Sequence, residues 1–533
     1  MNKRAVAYAV GKLMQILALV LFVPLFCSLL DYPDLSIAQI ACQPEVIGFI
    51  FSIVLSAAIG FLLSFLTKSE RSNQGVREGF GIVSLGWVCL TFLGSFPFLF
   101  YFAHSYTDVN FSIIFKCFTD SYFEIMSGFT TTGATILTDV EALPHSLLFW
   151  RSFTHWLGGM GIITLAIVVF PAMGISGYQM FKGEVPGPTT DRLLPKLAGT
   201  AKILWGVYLL MTVAETVLLW VGGMNLFDSL CHTFGTLATG GFSTKNASIG
   251  YYQSEYIEWV ITVFMFLAGV NFLVHYNVLC GNFKTLKQNS ELHFYSGTLL
   301  VAIVLVAMSL FHTGLQDTER VSTHYHPTQV SQLDIEEHRQ EESARYENVY
   351  QCIRSAVFQV VAITTTTGYT TADYDLWPNM CRYMLLILMF WGACAGSTGG
   401  GMKMVRIMVA FKTAWREIKK VAKPRLIESI RVGDSIVSGS KVINIMAFIC
   451  LYLIIFTGMT FFMSFFIPDL MTAIASVAAT INNIGPGLSG VGPVENYSWI
   501  PLGGKWILIA CMLLGRLEIF TVLVILRPST WKK

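Results

Sequence analysis

Phe129-Thr130-Thr131-Thr132-Gly133-Ala134-Thr135 is the first of four related tracts in this chain. The others are Thr236-Leu237-Ala238-Thr239-Gly240-Gly241-Phe242, Thr364-Thr365-Thr366-Thr367-Gly368-Tyr369-Thr370 and Ile481-Asn482-Asn483-Ile484-Gly485-Pro486-Gly487. Glycines 133, 240, 368 and 485 are 107, 128 and 117 residues apart, a period that marks a chain of repeats. A polar excursion at 315–349 accounts for the longest interval. A medium-length amphipathic stretch precedes each tract, near 110–128, 226–236, 350–363 and 470–481. These stretches are too short to cross a bilayer. Backbone without helical hydrogen bonds cannot face lipid, so the tracts must line a cavity or lie buried in protein. Four of them around one axis would present a ring of carbonyl oxygens, which can replace a cation's hydration shell. Glycine permits the positive φ that turns a carbonyl inward. Threonine adds a compact uncharged hydroxyl, and the C-terminal end of a short helix adds partial negative charge. No acidic residue occurs within the tracts, which favours a monovalent cation over a divalent one held by a ring of carboxylates. A single Thr/Gly tract is more often a helix-packing feature; four in register are not.

The rest of the chain fits that reading. Only 13% of its 533 residues are charged, against about a quarter in soluble proteins, and the mean hydropathy is +0.60. This composition excludes disorder and a large soluble enzyme. A net charge of +2 gives no field to attract a polyanion, so nucleic acid is excluded as a partner. Apolar runs near 13–30, 46–66, 79–103, 146–171, 203–222, 257–280, 293–311, 380–411, 442–467 and 503–526 are predicted to span a lipid bilayer. The first follows Lys3, Arg4 and Lys12 but is longer than a signal-peptide core and lacks a nearby cleavage pattern, so it reads as a retained anchor. With both termini inside, the cytoplasmic segments hold 25 of the 35 Lys and Arg. The most basic is 403–441, which reads either as an ordinary inside loop or as a docking surface for a cytoplasmic partner. The excursion at 315–349 is acidic and falls outside; its His324, His326 and His338 make a weak zinc pattern. Of the eleven cysteines, Cys89, Cys280, Cys450 and Cys511 sit in apolar runs, while Cys42, Cys352 and Cys381 flank spans with their pairing open.

On these tracts the chain resembles the TrkH/TrkG–KtrB family of potassium transporters, in the superfamily that includes plant HKT proteins. The likeness runs from about residue 79 to the end. The two extra N-terminal spans make the TrkH/TrkG branch the nearer match. The resemblance implies an all-α integral membrane fold: four pseudo-symmetric M1–P–M2 repeats around one pore. The corresponding divisions are an N-terminal two-helix domain 1–78 and repeats 79–178, 179–288, 289–430 and 431–533. It implies backbone carbonyls of Thr131, Thr132, Gly133, Ala238, Thr239, Gly240, Thr366, Thr367, Gly368, Asn483, Ile484 and Gly485 as potassium ligands. It also implies a homodimer in a bacterial inner membrane and a TrkA-like, nucleotide-binding cytoplasmic subunit. In some plant members a serine in the first tract goes with sodium; the glycines here favour potassium. Only Thr367-Gly368-Tyr369 comes near the filter of tetrameric potassium channels, so discrimination against sodium is expected to be looser.

The eighth span is interrupted at Trp391-Gly392-Ala393-Cys394-Ala395-Gly396-Ser397-Thr398-Gly399-Gly400-Gly401-Met402-Lys403. Each glycine weakens a helix by about 1 kcal/mol, so this stretch should unwind. Its counterpart in the family obstructs the pore, and Gly396, Ser397, Thr398, Gly399, Gly400 and Gly401 are expected to form a gating loop. Arg516 lies mid-span, where an arginine costs about 2.5–3.5 kcal/mol facing lipid. It should contact carbonyls of that loop rather than Glu518, which points to another helix face. Asp120, Glu124 and Asp228 lie in the first two pore helices and read as tethers, the alternative being charges that raise cation concentration outside the filter; His155 and His275 read as packed structural histidines, the alternative being proton coupling. Gly485-Pro486-Gly487-Leu488-Ser489-Gly490 follows no strand and is a false dinucleotide fingerprint. With no Walker A motif and no catalytic spacing, flux must follow electrochemical gradients. The alternatives are a sodium-permeable or ion-coupled transporter and, more remotely, an intramembrane enzyme.

Overall fold

The structure is a computed structural model, and it describes residues 1–32, 34–67, 76–108, 110–161, 197–313, 346, 348–433 and 435–531. Among the described residues, six helices are long and apolar enough to cross a membrane. They are Lys3–Leu29, Pro44–Leu66, Glu78–His104, Ala201–Val221, Ser290–Thr313 and Gly439–Met463. Their outward faces carry exposed Phe65, Leu300, Ile443 and Phe461. Such side chains would be a liability in water and are at home in acyl chains.

The other predicted spans are broken. The run 257–280 divides into Glu255–Ala268 and Phe272–Leu279, bent by 103°. Gly269 ends the first half, and the Asn271 side chain caps the second by accepting from Leu273 N. The run 503–526 divides into Leu502–Arg516 and Ile519–Leu526, bent by 114°, with Glu518 at φ +59° in the break. The run 146–171 is helical over His145–Trp156 and widens to a π turn at Leu157–Gly161; the remainder lies outside the described residues. The run 380–411 holds only Asn379–Phe390 before the glycine-rich interruption, and a new helix continues over Met404–Ala422.

Between spans lie four short helices, Phe111–Phe129, Leu226–Leu237, Val349–Thr364 and Leu470–Ile481. Each starts on a side chain that accepts from its own first-turn amides: Asn110, Asn225, Asn348 and Asp469. Each is buried towards its C-terminal end and gives way there to one Thr/Gly or Asn/Gly tract. The architecture is therefore span, re-entrant helix, tract, span, four times around one axis. The two N-terminal spans pack against the first repeat. A two-residue hairpin, Arg431–Val432 with Ser435–Ile436, is the one sheet among the described residues. All eleven cysteines are free. Most of the acidic excursion, with its three histidines, and most of segment 172–202 lie outside the described residues.

Candidate functional site

The re-entrant helices all end in the same way. In the first, Thr131 N donates to Gly128 O and Thr132 N to Ser127 O at 2.8 Å. The matching six-to-one bonds elsewhere are Gly240 N to Gly235 O (2.7 Å), Thr367 N to Ala362 O (2.9 Å) and Ile484 N to Ala479 O (2.8 Å). This is a Schellman cap, which needs one left-handed residue. That residue is Thr131, Thr239, Thr366 and Asn483, at φ +51°, +55°, +61° and +56°. A side chain in that region costs about 1–2 kcal/mol, and strain of this kind gathers at functional sites.

Two residues after each comes a second left-handed position, Gly133, Gly241, Gly368 and Gly485, at φ +78°, +78°, +74° and +98°. The register of the second tract is thus corrected. Gly241, not Gly240, matches Gly133, and the second triplet is Thr239, Gly240 and Gly241 rather than Ala238, Thr239 and Gly240. The glycine intervals become 108, 127 and 117 residues.

These glycines close a ring. A Cβ on Gly133 would strike the carbonyl oxygen of Gly240, and one on Gly241 that of Thr367. One on Gly368 would strike the oxygen of Ile484, and one on Gly485 that of Thr132. The order runs from each repeat to the next and returns to the first. Around this ring Thr131, Thr132, Thr239, Thr366, Thr367 and Asn483 are fully buried. Thr131 Oγ1 and Asn483 Oδ1 have no hydrogen-bond partner, leaving two oxygen acceptors in a buried polar ring. The Gly485 carbonyl is engaged by the Tyr497 hydroxyl at 2.7 Å. Above the ring opens a hollow of about 140 Å³ touched by Gly133, Gly241, Gly368 and Gly485.

Polar side chains tie the repeats to one another. Between the first and second, Arg151 bonds Glu124 at 2.5 Å and donates to Ser243 O at 2.9 Å. Between the second and third, Arg354 meets Glu258 at 3.1 Å. Between the third and fourth, Asp375 accepts from Ser489 N at 3.1 Å. Between the fourth and first, Lys505 donates to Asp120 at 2.6 Å. Asp228 is held within its own repeat by Thr244 and Tyr252. His155 donates through Nδ1 to Gly128 O (2.8 Å) and accepts through Nε2 from Phe242 N (3.3 Å), which assigns its neutral tautomer. His275 Nε2 bonds Leu267 O. At the rim, the Asn246 amide on Asp139 (2.9 Å) holds that carboxyl below its ordinary range.

Glu124 and Arg151 are both buried, so removing one partner strands a charge. Glu124→Ala is expected to cost about 3–5 kcal/mol of stability. Thermal unfolding of the purified protein in detergent checks this, and an unchanged midpoint would show that the pair contributes nothing.

The glycine-rich interruption lies on the opposite side of the ring from the hollow. Its Gly400 N donates to Thr366 Oγ1 at 2.7 Å, and Thr398 Oγ1 donates to Leu237 O at 2.8 Å. A Cβ on Gly400 would meet Asn482 O. The loop therefore abuts the second, third and fourth tracts. Arg516 donates to Thr398 O (2.8 Å), Gly158 O (2.6 Å) and Gly159 O (2.7 Å). A Cβ on Gly158 would in turn meet Phe129 O, at the start of the first tract. Lys403 Nζ donates to Gly399 O, and Glu518 pairs with Arg406 at 2.8 Å. Residues Gly158, Gly159, Lys403 and Gly241 carry geometry that was not singled out in the sequence.

A family model described as TrkH, cation transport protein, matches residues 43–533. The chain belongs to the TrkH family. It is 36% identical over 536 residues to the Trk system potassium uptake protein TrkH of Escherichia coli K12, covering all of both chains. It is 31% identical over 514 residues to TrkG of the same organism, covering 95% of this chain and 96% of that one. The crystal structure of the potassium transporter TrkH from Vibrio parahaemolyticus aligns over both full chains with a TM-score of 0.80 at 31% identity. As a TrkH-family member the chain is a multi-pass membrane transport protein and not an enzyme.

Proposed function

We propose that this protein takes potassium into the cell through the ring formed by its four tracts. The observation that carries this reading is the closed order of Gly133, Gly241, Gly368 and Gly485, each against the next repeat's carbonyl. Those carbonyls, of Thr132, Gly240, Thr367 and Ile484, replace water around a dehydrated ion. The four re-entrant helices point their C-terminal ends at it and add negative potential without a fixed carboxylate. Neutral ligands of this kind suit a monovalent ion. A membrane potential contributes about 2.3 kcal/mol per charge per 100 mV, enough to concentrate the ion without nucleotide hydrolysis.

The loop Gly396–Gly401 with Arg516 is the gate. A guanidinium that joins three carbonyls beneath the ring both obstructs the path and repels cations. The excess of Lys and Arg in predicted inside segments supports cytoplasmic termini in a bacterial inner membrane. The relatives' names, which speak of a Trk system, support an assembly of more than one component; the partner expected from the family resemblance is a nucleotide-binding cytoplasmic subunit of the TrkA type, and the same resemblance favours a homodimer.

The test is ion flux through purified protein in liposomes under opposed potassium and sodium gradients. A reversal potential following potassium is the expected result, together with growth of a potassium-uptake-deficient strain in low potassium. A reversal potential following sodium, or no flux at all, would overturn the reading.

A further inference from the structure

The interruption between Phe390 and Met404 has a neck and a head, held in different ways. At the neck, Gly392 N donates to Met402 O (2.8 Å) and Met404 N to Ala393 O (3.2 Å), beside a parallel bridge between Trp391 and Met402. The neck is also seated on the break in the second repeat, through Cys394 N to Gly269 O (3.0 Å) and Phe272 N to Gly396 O (3.1 Å). The head, 397–401, reaches its surroundings largely through side chains: Arg516, Thr366, Thr398 and Lys403. One carboxylate spans the neck. Glu291 Oε1 accepts from Ala395 N at 2.8 Å and from Val405 N at 3.1 Å. These two amides lie on opposite sides of the glycine run and ten residues apart in sequence.

Glu291 stands in the first turn of the helix Ser290–Thr313, where the free amide ends favour a negative charge. Directly before it runs a short basic linker with Lys284 and Lys287. A Cβ added to Gly433, beside the hairpin strand Arg431–Val432, would come into van der Waals contact with Gln288 O and Ser290 Oγ of that junction, at 3.7 Å each. The carboxylate therefore joins both ends of the loop to the first turn of a spanning helix, directly after the linker.

We propose that Glu291 is a positioning residue: it staples the two ends of the gating loop, so that the head moves on a fixed neck and shifts of the linker before Ser290 are passed to the loop. This inference rests on the reading of Gly396–Gly401 as the gate. Charge-assisted bonds to two amides are strong enough to hold such a neck. Removing them frees the ends, lets the head leave Arg516 and leaves the filter untouched.

Potassium flux and reversal potential in liposomes, at equal load of protein that elutes as one species, provide the test. Glu291→Ala is expected to raise basal flux about tenfold, as the loss of charge-assisted bonds implies, with the reversal potential unchanged. Glu291→Gln retains an acceptor and should stay within about threefold of the unsubstituted protein. Glu291→Asp keeps the charge but withdraws the oxygen by one methylene, so it should fold and still leak. In an Arg516→Ala background, Glu291→Ala should add less than about twofold, because both act through the same loop. Unchanged flux in both the Ala and Asp variants would overturn the staple, as would a Gln variant that leaks as much as Ala, or a shifted reversal potential. If Arg516→Ala raises flux and Glu291→Ala does not, only the staple falls. If neither does, the gate itself falls.

Discussion

Gly241→Ala is expected to lower potassium flux about 100-fold, an effect of a few kcal/mol on the conducting geometry. The residue sits at φ +78°, and an added Cβ would strike the Thr367 carbonyl oxygen of the next repeat. That oxygen is one of the four proposed to hold the ion. The strain and the collision act in the same direction and cannot both be relieved: relaxing φ turns the Gly241 carbonyl, and yielding to the Cβ moves Thr367. Gly133→Ala and Gly368→Ala meet the equivalent obstacle and should resemble it. Gly240→Ala differs in kind. Gly240 is not at positive φ, and its Cβ would meet the His155 ring behind the tract. Its first effect should be on stability, through the His155 bonds to Gly128 and Phe242. Flux measured at matched levels of folded protein separates the two. Equal residual flux in Gly240→Ala and Gly241→Ala would sink the register assigned here.

Arg516→Ala should act in the opposite direction and raise basal flux at least about tenfold. Its guanidinium joins Thr398 O in the third repeat to Gly158 O and Gly159 O in the first, from a helix of the fourth. Hydrogen bonds to a charged donor contribute about 1.5–3 kcal/mol each, and three are lost together. A positive charge is removed from the cation path at the same time. Arg516→Lys keeps the charge but not the planar fork, so it cannot reach three oxygens at once and should leak at an intermediate level. Flux in liposomes at equal protein load decides this. A value equal to that of the unsubstituted protein would remove Arg516 from the gate.

The sequence made the four-part plan readable because each tract follows a short helix too brief to cross lipid, and four such coincidences leave one geometry. Arg516 was readable for a related reason: a charge at that depth must have partners. Its partners were not, because Gly158 and Gly159 come from a repeat more than 350 residues earlier and carry no signal beyond being small. The second tract offered two adjacent glycines, and pattern alone chose the wrong one. The cap bond from Gly240 N to Gly235 O, five residues back, would have chosen correctly, but that requires knowing where the helix ends. The bends at Gly269 and Glu518 escaped because their flanks are continuous apolar runs. Glu291 escaped because an acid at the start of a span looks like any interfacial charge. The common asparagine or aspartate at each re-entrant helix start, at positions 110, 225, 348 and 469, was a legible signal not used.

The ties at Arg151, Arg354, Asp375 and Lys505 form a belt, one buckle at each seam. In a barrel the hoop, not the staves, fixes the bore, and tension in a closed hoop is shared along its whole circumference. If the ring is the filter proposed above, an ion and its slightly smaller rival would be sorted by girth. A single slackened buckle, well away from any oxygen that touches the ion, would widen all four quarters together.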